Sequence, residues 1–229
     1  MRTAIYALLF FVGLSLPLAA QTNKSYTSAA DSDPEARQIL DAVRQKYDAY
    51  RTLSADFRLD LAFPNQPVET QRGTIRRRGE SVRFKLGDQE GIVNEEAAYF
   101  ILHGSREIQI NDLPDPDETT GMLTPQNLFN FYEGEQYVLA LQGEETVDGR
   151  SLTVIEMKPL DRENSDFTKL RLLVDQRKQD VHSIKAFSRD GSSYTFYLDK
   201  TQGNATLADN TFTFDKAEFP GYHVEDLRF

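Results

Sequence analysis

Apolar positions recur along this chain with two different periods. The first is helical: Ile39, Val43, Tyr47 and Tyr50 share one face, while Arg37, Asp41, Arg44 and Lys46 occupy the rest. Asp33 is a good N-cap, Pro34 suits the first helical position, and Glu35 favours the positive end of the helix dipole. Together they predict an amphipathic helix that covers the open side of a sheet. At Leu53 the period drops to two. Leu53, Ala55, Phe57, Leu59 and Leu61 alternate with Ser54, Asp56, Arg58 and Asp60, which describes a strand with one buried face.

Pro64-Asn65-Gln66-Pro67 then turns the chain, and short alternating segments follow at 68–77, 81–86, 90–94, 97–102 and 107–111. Residues 112–123 interrupt them with Pro114, Pro116 and four acids (Asp112, Asp115, Asp117, Glu118), an exposed loop by composition. Thr124-Pro125 opens a second short helix bearing Leu128, Phe129, Phe131 and Tyr132. Strands resume at 136–141, 151–158, 168–175, 181–188 and 193–200, with Asp148-Gly149 and Asp190-Gly191 as hairpin turns. A last strand at 222–228 follows Pro220-Gly221. The pattern predicts a mainly β (α+β) single domain of about eleven antiparallel strands and two helices. So many strands exceed the usual open sheet, so this one should curl strongly or form a partial barrel.

Two segments precede that domain. Residues 1–20 read as a secretory signal: Arg2 supplies the charge, Ala4 to Leu16 is a short apolar run, and Leu18-Ala19-Ala20 is a small-residue cleavage site. An uncleaved anchor is the alternative. Residues 21–33 are Ser/Thr/Ala/Asp-rich and read as a flexible leader, which leaves 34–229 as the folded domain. Removal of the signal would take away one cation and no anion, moving the net charge from −10 to −11. Such an acidic chain argues against nucleic-acid binding, which needs a cationic surface. Export into the periplasm fits a chain without Cys, and no Cys also means no disulfide, no thiol chemistry and no lipid-modified cysteine. With a mean hydropathy of −0.53 yet 10 Tyr and 15 Phe, the chain must gather its aromatics in particular places.

Catalytic signals are missing. His103, His182 and His223 sit on separate segments without metal-ligand spacing, and nucleophile-elbow, P-loop and dinucleotide motifs are absent. The residues give no sign of an enzyme, a metal site or a cofactor. What remains is one apolar face per strand: Phe57/Leu59/Leu61, Val82/Phe84/Leu86, Ile108/Ile110, Tyr137/Leu139/Leu141, Leu170/Leu172/Val174 and Tyr194/Phe196/Leu198. These faces suit an ordinary core under the helices, or a curled sheet whose hollow holds an apolar ligand.

Several motifs, in order, carry a family resemblance. They are Leu53-Ser54-Ala55-Asp56-Phe57, the hairpin from Gly73 through Arg76-Arg77-Arg78-Gly79 to Arg83-Phe84, and Thr124-Pro125. Asp209-Asn210-Thr211-Phe212-Thr213-Phe214 and Gly221-Tyr222-His223-Val224-Glu225-Asp226-Leu227-Arg228 complete the series. From about Pro34 to Phe229 the chain resembles the periplasmic outer-membrane lipoprotein carriers, the LolA-type family. The resemblance implies an unclosed, strongly curved antiparallel β-barrel whose helices form a lid over an apolar cavity. It further implies a carrier that takes acylated lipoproteins from an inner-membrane release ABC transporter and delivers them to the outer membrane, with or without a receptor there. By the same resemblance Arg78 gates the lid, although Gly79 stands where the family has Pro and Arg77 is the alternative. Strand parity nominates Phe57, Leu59, Ile75, Phe84, Leu139, Leu172 and Phe196 for the cavity, with Leu128 and Phe131 from the lid. A sensor or regulatory module of the same fold, an exported hydrolase and a structural envelope protein with a filled core are the competing readings.

Overall fold

A computed structural model describes residues 28–113 and 136–228. The helix expected from Asp33 is α1 (Pro34–Asp48): the Asp33 carboxylate accepts from the Glu35 amide, and Pro34 occupies the first position. Its buried stripe is Ala36, Ile39, Leu40, Val43 and Tyr47. Tyr50 lies just past the helix end, its ring edge-on to Tyr47 and lying across Gly203.

Among the described residues twelve strands follow, where the pattern predicts about eleven. They are β1 (Thr52–Ala62), β2 (Glu69–Arg78), β3 (Ser81–Leu86), β4 (Gln89–Val93), β5 (Ala98–Leu102), β6 (Glu107–Asn111), β7 (Tyr137–Val147), β8 (Arg150–Pro159), β9 (Phe167–Asp175), β10 (Asp180–Ser188), β11 (Ser193–Gly203) and β12 (His223–Asp226). One sheet holds them all, in the order β12-β6-β5-β4-β3-β2-β1-β11-β10-β9-β8-β7. Every pair is antiparallel except β12, which runs parallel to β6. That exception follows from the long connection after β11, which crosses the sheet before the chain returns.

The sheet is curved but not closed into a barrel. Its first and last strands, β12 and β7, do not pair. Helix α1 bridges distant strands of this curved sheet. Near its N-terminus the Asp33 amide donates to the Leu139 carbonyl of β7, and at its other end Arg77 of β2 donates to the Tyr47 carbonyl. Those strands lie six places apart in the sheet order, so the sheet wraps around α1. The wrap encloses one core, made of the helix stripe and the inward residues of β1–β3 and β8–β11.

A second core lies on the convex face. Ile92, Tyr99, Ile101 and Ile108 are covered there by Phe214, Phe219 and Tyr222 from the segment before β12. The Tyr99 and Phe214 rings stack at 4.4 Å, and Phe214 and Phe219 stack at 6.0 Å. Ile108 and Ile110, which the alternation groups with the inward faces, belong to this outer core. The reason is that the C-terminal segment covers the outer face here, burying β4 and β5 on both sides and Ile108 of β6 on the outer one. Residues 28–32, inside the stretch read as a flexible leader, include a 3-10 turn (Ala29–Asp31), and the Ser32 hydroxyl accepts from the Leu139 amide on the edge of β7.

Candidate functional site

Strand register assembles the concave face into ladders. One runs Leu59–Phe196–Ile184–Leu172–Ile155–Leu141 across β1, β11, β10, β9, β8 and β7. A second, one pleat along, runs Leu61–Tyr194–Ala186–Leu170–Met157–Leu139 over the same strands. A third, Ala55–Ile75–Phe84–Gly91–Phe100, extends the apolar surface through β2 to β5. The paired positions of these ladders are apolar or Gly, while Gln71 and Glu69 of β2 stand opposite Leu59 and Leu61 on the same face.

Of the residues nominated for a cavity, Phe57, Leu59, Ile75, Phe84, Leu172 and Phe196 lie in this core, each less than a tenth exposed. Leu139 is half-buried and packs against them. Leu128 and Phe131, with the helix expected after Thr124-Pro125, lie outside the described residues. Two rings gain room from glycines opposite them: a methyl at Gly73 would overlap the Phe57 ring, and one at Gly91 the Phe84 ring. Burial is deepest under α1 and opens toward a rim where Leu61, Tyr137, Phe167 and Tyr194 are only partly covered. Phe63 and Phe167 both set their rings edge-on to Tyr194, at 6.2 and 6.3 Å.

A small set of polar bonds holds α1 over this surface. Arg77 Nη2 reaches the Tyr47 carbonyl at 2.9 Å, where a cation also complements the helix C-terminus. Lys46 Nζ bonds the Lys178 carbonyl at 2.6 Å and pairs with Asp180. Burial, with the Asp180 charge beside it, pushes the Tyr47 phenol well above its ordinary range.

Parity separates the three consecutive arginines. Ile75 and Arg77 point inward, so Arg77 meets the helix. Arg76 and Arg78 point outward. Arg78 Nη2 donates to the Leu207 and Ala208 carbonyls at 3.0 and 3.4 Å, and its guanidinium lies 5.4 Å from the Phe212 ring. Arg83, also outward, bonds the Thr211 carbonyl at 3.2 Å and the buried Glu90 carboxylate at 2.5 Å. His103 lies 3.5 Å from Glu90 through Nε2 and 2.9 Å from the Tyr222 hydroxyl through Nδ1. This clasp of Arg83, Glu90, His103 and Tyr222 escapes sequence reading, because its members come from four segments. Among the described residues no group of three or more His, Cys, Asp or Glu could hold a metal. No helix there is long and apolar enough to cross a membrane.

No family model and no curated protein matches the chain. Solved structures do. An uncharacterised conserved protein from Thermus thermophilus superposes with a TM-score of 0.55 at 10% identity, over 84% of this chain and 99% of that one. The lipoprotein LppX of Mycobacterium tuberculosis gives 0.49 at 14% identity, over 77% and 99%. A LolA-superfamily protein from Nitrosomonas europaea gives 0.41 at 14% identity, over 79% and 98%. At such identities the likeness to the Thermus protein is one of fold, and the other two superpose less well. With its curved, unclosed sheet wrapped around a helix, the chain has the fold that the resemblance to the LolA-type carriers implies.

Proposed function

We propose that this protein is a soluble periplasmic carrier that shields the acyl chains of lipoproteins against its concave face. It would receive them from an inner-membrane release transporter and pass them to the outer membrane. The observation that carries this reading is the set of apolar ladders under α1, opening to a half-exposed aromatic rim. Each acyl CH₂ kept from water is worth roughly 0.8 kcal/mol, so a lipidated protein needs such a surface to cross an aqueous space. Phe57, Leu59, Ile75, Phe84, Leu172 and Phe196 would take acyl chains only when α1 moves away. Leu139 lies nearer the rim and is accessible first. Leu128 and Phe131 complete the nominated set.

The resemblance assigns gating to Arg78. The contacts support Arg77 as the residue that holds α1, with Arg78 holding the C-terminal segment. An Arg78→Leu variant that releases lipoprotein normally would remove the gating role from Arg78.

A filled core is the competing arrangement, favoured by the deep burial of those same six side chains. The deciding experiment is purification from an exporting bacterium followed by mass spectrometry of bound lipid and acylated protein. Charge placed on the half-exposed rim, as in Leu61→Glu with Leu139→Glu, leaves the deep core intact. The carrier reading expects copurified acyl groups that this double variant loses. A lipid-free protein that also takes up no acylated peptide in vitro overturns it.

A further inference from the structure

The convex face of β9–β11 carries a cationic and aromatic platform that the concave site does not use. Three cations surround the Phe187 ring: Lys169 Nζ at 5.0 Å, Lys185 Nζ at 5.1 Å and the Arg171 guanidinium at 5.9 Å. A second stack adjoins it, with the Arg58 guanidinium 4.0 Å from the centre of the Tyr197 ring. Among the described residues Glu156 takes Lys169 at 2.8 Å and Arg171 at 2.7 Å, and Asp60 lies 3.5 Å from Arg58. The Glu156 side chain is 7% exposed, against 31% for Lys169 and 41% for Arg171. Around Phe187 the negative charge is thus buried and the positive charges form the surface, on a chain whose net charge is −10.

We infer that this platform docks the protein on the anionic headgroups of a phospholipid surface. Charge complementarity selects an anion-rich partner. The large exposed hydrophobics of the described residues are Val68, Leu113 and Leu227, and none lies on the platform. An apolar centre, the usual anchor of a protein–protein interface, is therefore missing. Cations beside aromatic rings are the pattern of a membrane–water boundary. Each contributes modestly, which suits a visit rather than permanent attachment. Lys169 and Phe187 pair across the strands beside the Leu170–Ala186 pair, but on the opposite face of the sheet. This inference does not depend on acyl binding, and its test reads membrane attachment alone.

The test is flotation of the purified chain with vesicles of phosphatidylcholine, with and without phosphatidylglycerol, at low and high salt. Attachment is expected only with phosphatidylglycerol and at low salt. Among the described residues Lys185 pairs with no carboxylate, so Lys185→Gln should keep the melting temperature while weakening attachment about fivefold. Lys185→Glu should weaken it further. Equal attachment to both vesicle types, or attachment unchanged in both Lys185 variants, overturns the inference. Retention on polyglutamate resin without any attachment to phosphatidylglycerol also overturns it, in favour of an acidic protein partner.

Discussion

Arg77 donates from Nη2 to the Tyr47 carbonyl at 2.9 Å, tying the inward face of β2 to the last turn of α1. Its neighbour Arg78 faces the other way and holds the carbonyls of Leu207 and Ala208. Adjacent residues of one strand thus fasten two different covers, one on each side of the sheet.

Separate fastening predicts separate loosening. Arg77→Gln should destabilise the fold by roughly 1.5–3 kcal/mol, the range for a hydrogen bond to a charged group. Amide exchange should accelerate in α1 and stay unchanged in residues 205–212. Arg78→Gln should do the reverse. Hydrogen exchange by mass spectrometry reads both, and faster exchange of α1 in the Arg78 variant would contradict the assignment.

Gly91 faces the Phe84 ring, which fills the space a side chain would need. Gly91→Ala should cost roughly 1–3 kcal/mol through overpacking. Adding Phe84→Leu should recover part of that loss, so the two changes couple by at least about 0.5 kcal/mol in a double-mutant cycle. Additive costs in urea denaturation would mean that the ring does not occupy the space.

Glu156 gives the fold a specific acid sensitivity. Burial opposes its charge, but hydrogen bonds from Lys169 and Arg171 outweigh that and hold its carboxyl below the ordinary value. A depressed folded-state value stabilises the native state above the unfolded-state value of about 4.3, and the stabilisation is lost as pH falls through the folded one. Glu156→Gln should therefore cost roughly 1–3 kcal/mol at neutral pH. The gap to the wild type should close as pH drops below about 4. Melting curves across that range check it, and a constant gap would refute the pairing.

His103 and Tyr222 close the outer clasp. Tyr222→Phe removes the hydroxyl bonded to Nδ1 and should cost roughly 0.5–1.5 kcal/mol. Limited proteolysis should then cut sooner within residues 205–222, with α1 unaffected.

The concave ladders were legible because each strand repeats its apolar side chains every second residue, as in Phe57/Leu59/Leu61 and Tyr194/Phe196/Leu198. The start of α1 was legible from Asp33 and Pro34 and its buried face from Ile39, Val43 and Tyr47, whereas Tyr50, read on the same face, lies past the helix end. Beta strands 4 and 5 were harder, because burial on both faces removes the alternation that marks which side is inward. The platform around Phe187 was invisible for a related reason: Lys169, Arg171 and Lys185 read as solvated strand positions until register places them around one ring.

By itself the sequence determined the strands, the helix that covers them, and the inward side chains of β1, β2 and β9–β11. Those are local periodicities, written into neighbouring residues. Only the tertiary structure decided that Arg77 meets the helix and Arg78 the C-terminal segment. It also decided that Phe214, Phe219 and Tyr222 close a second core, and that the last strand joins in parallel. These outcomes depend on which distant segments share a face of the curved sheet, and sheet register sets that after the local pattern has been used up.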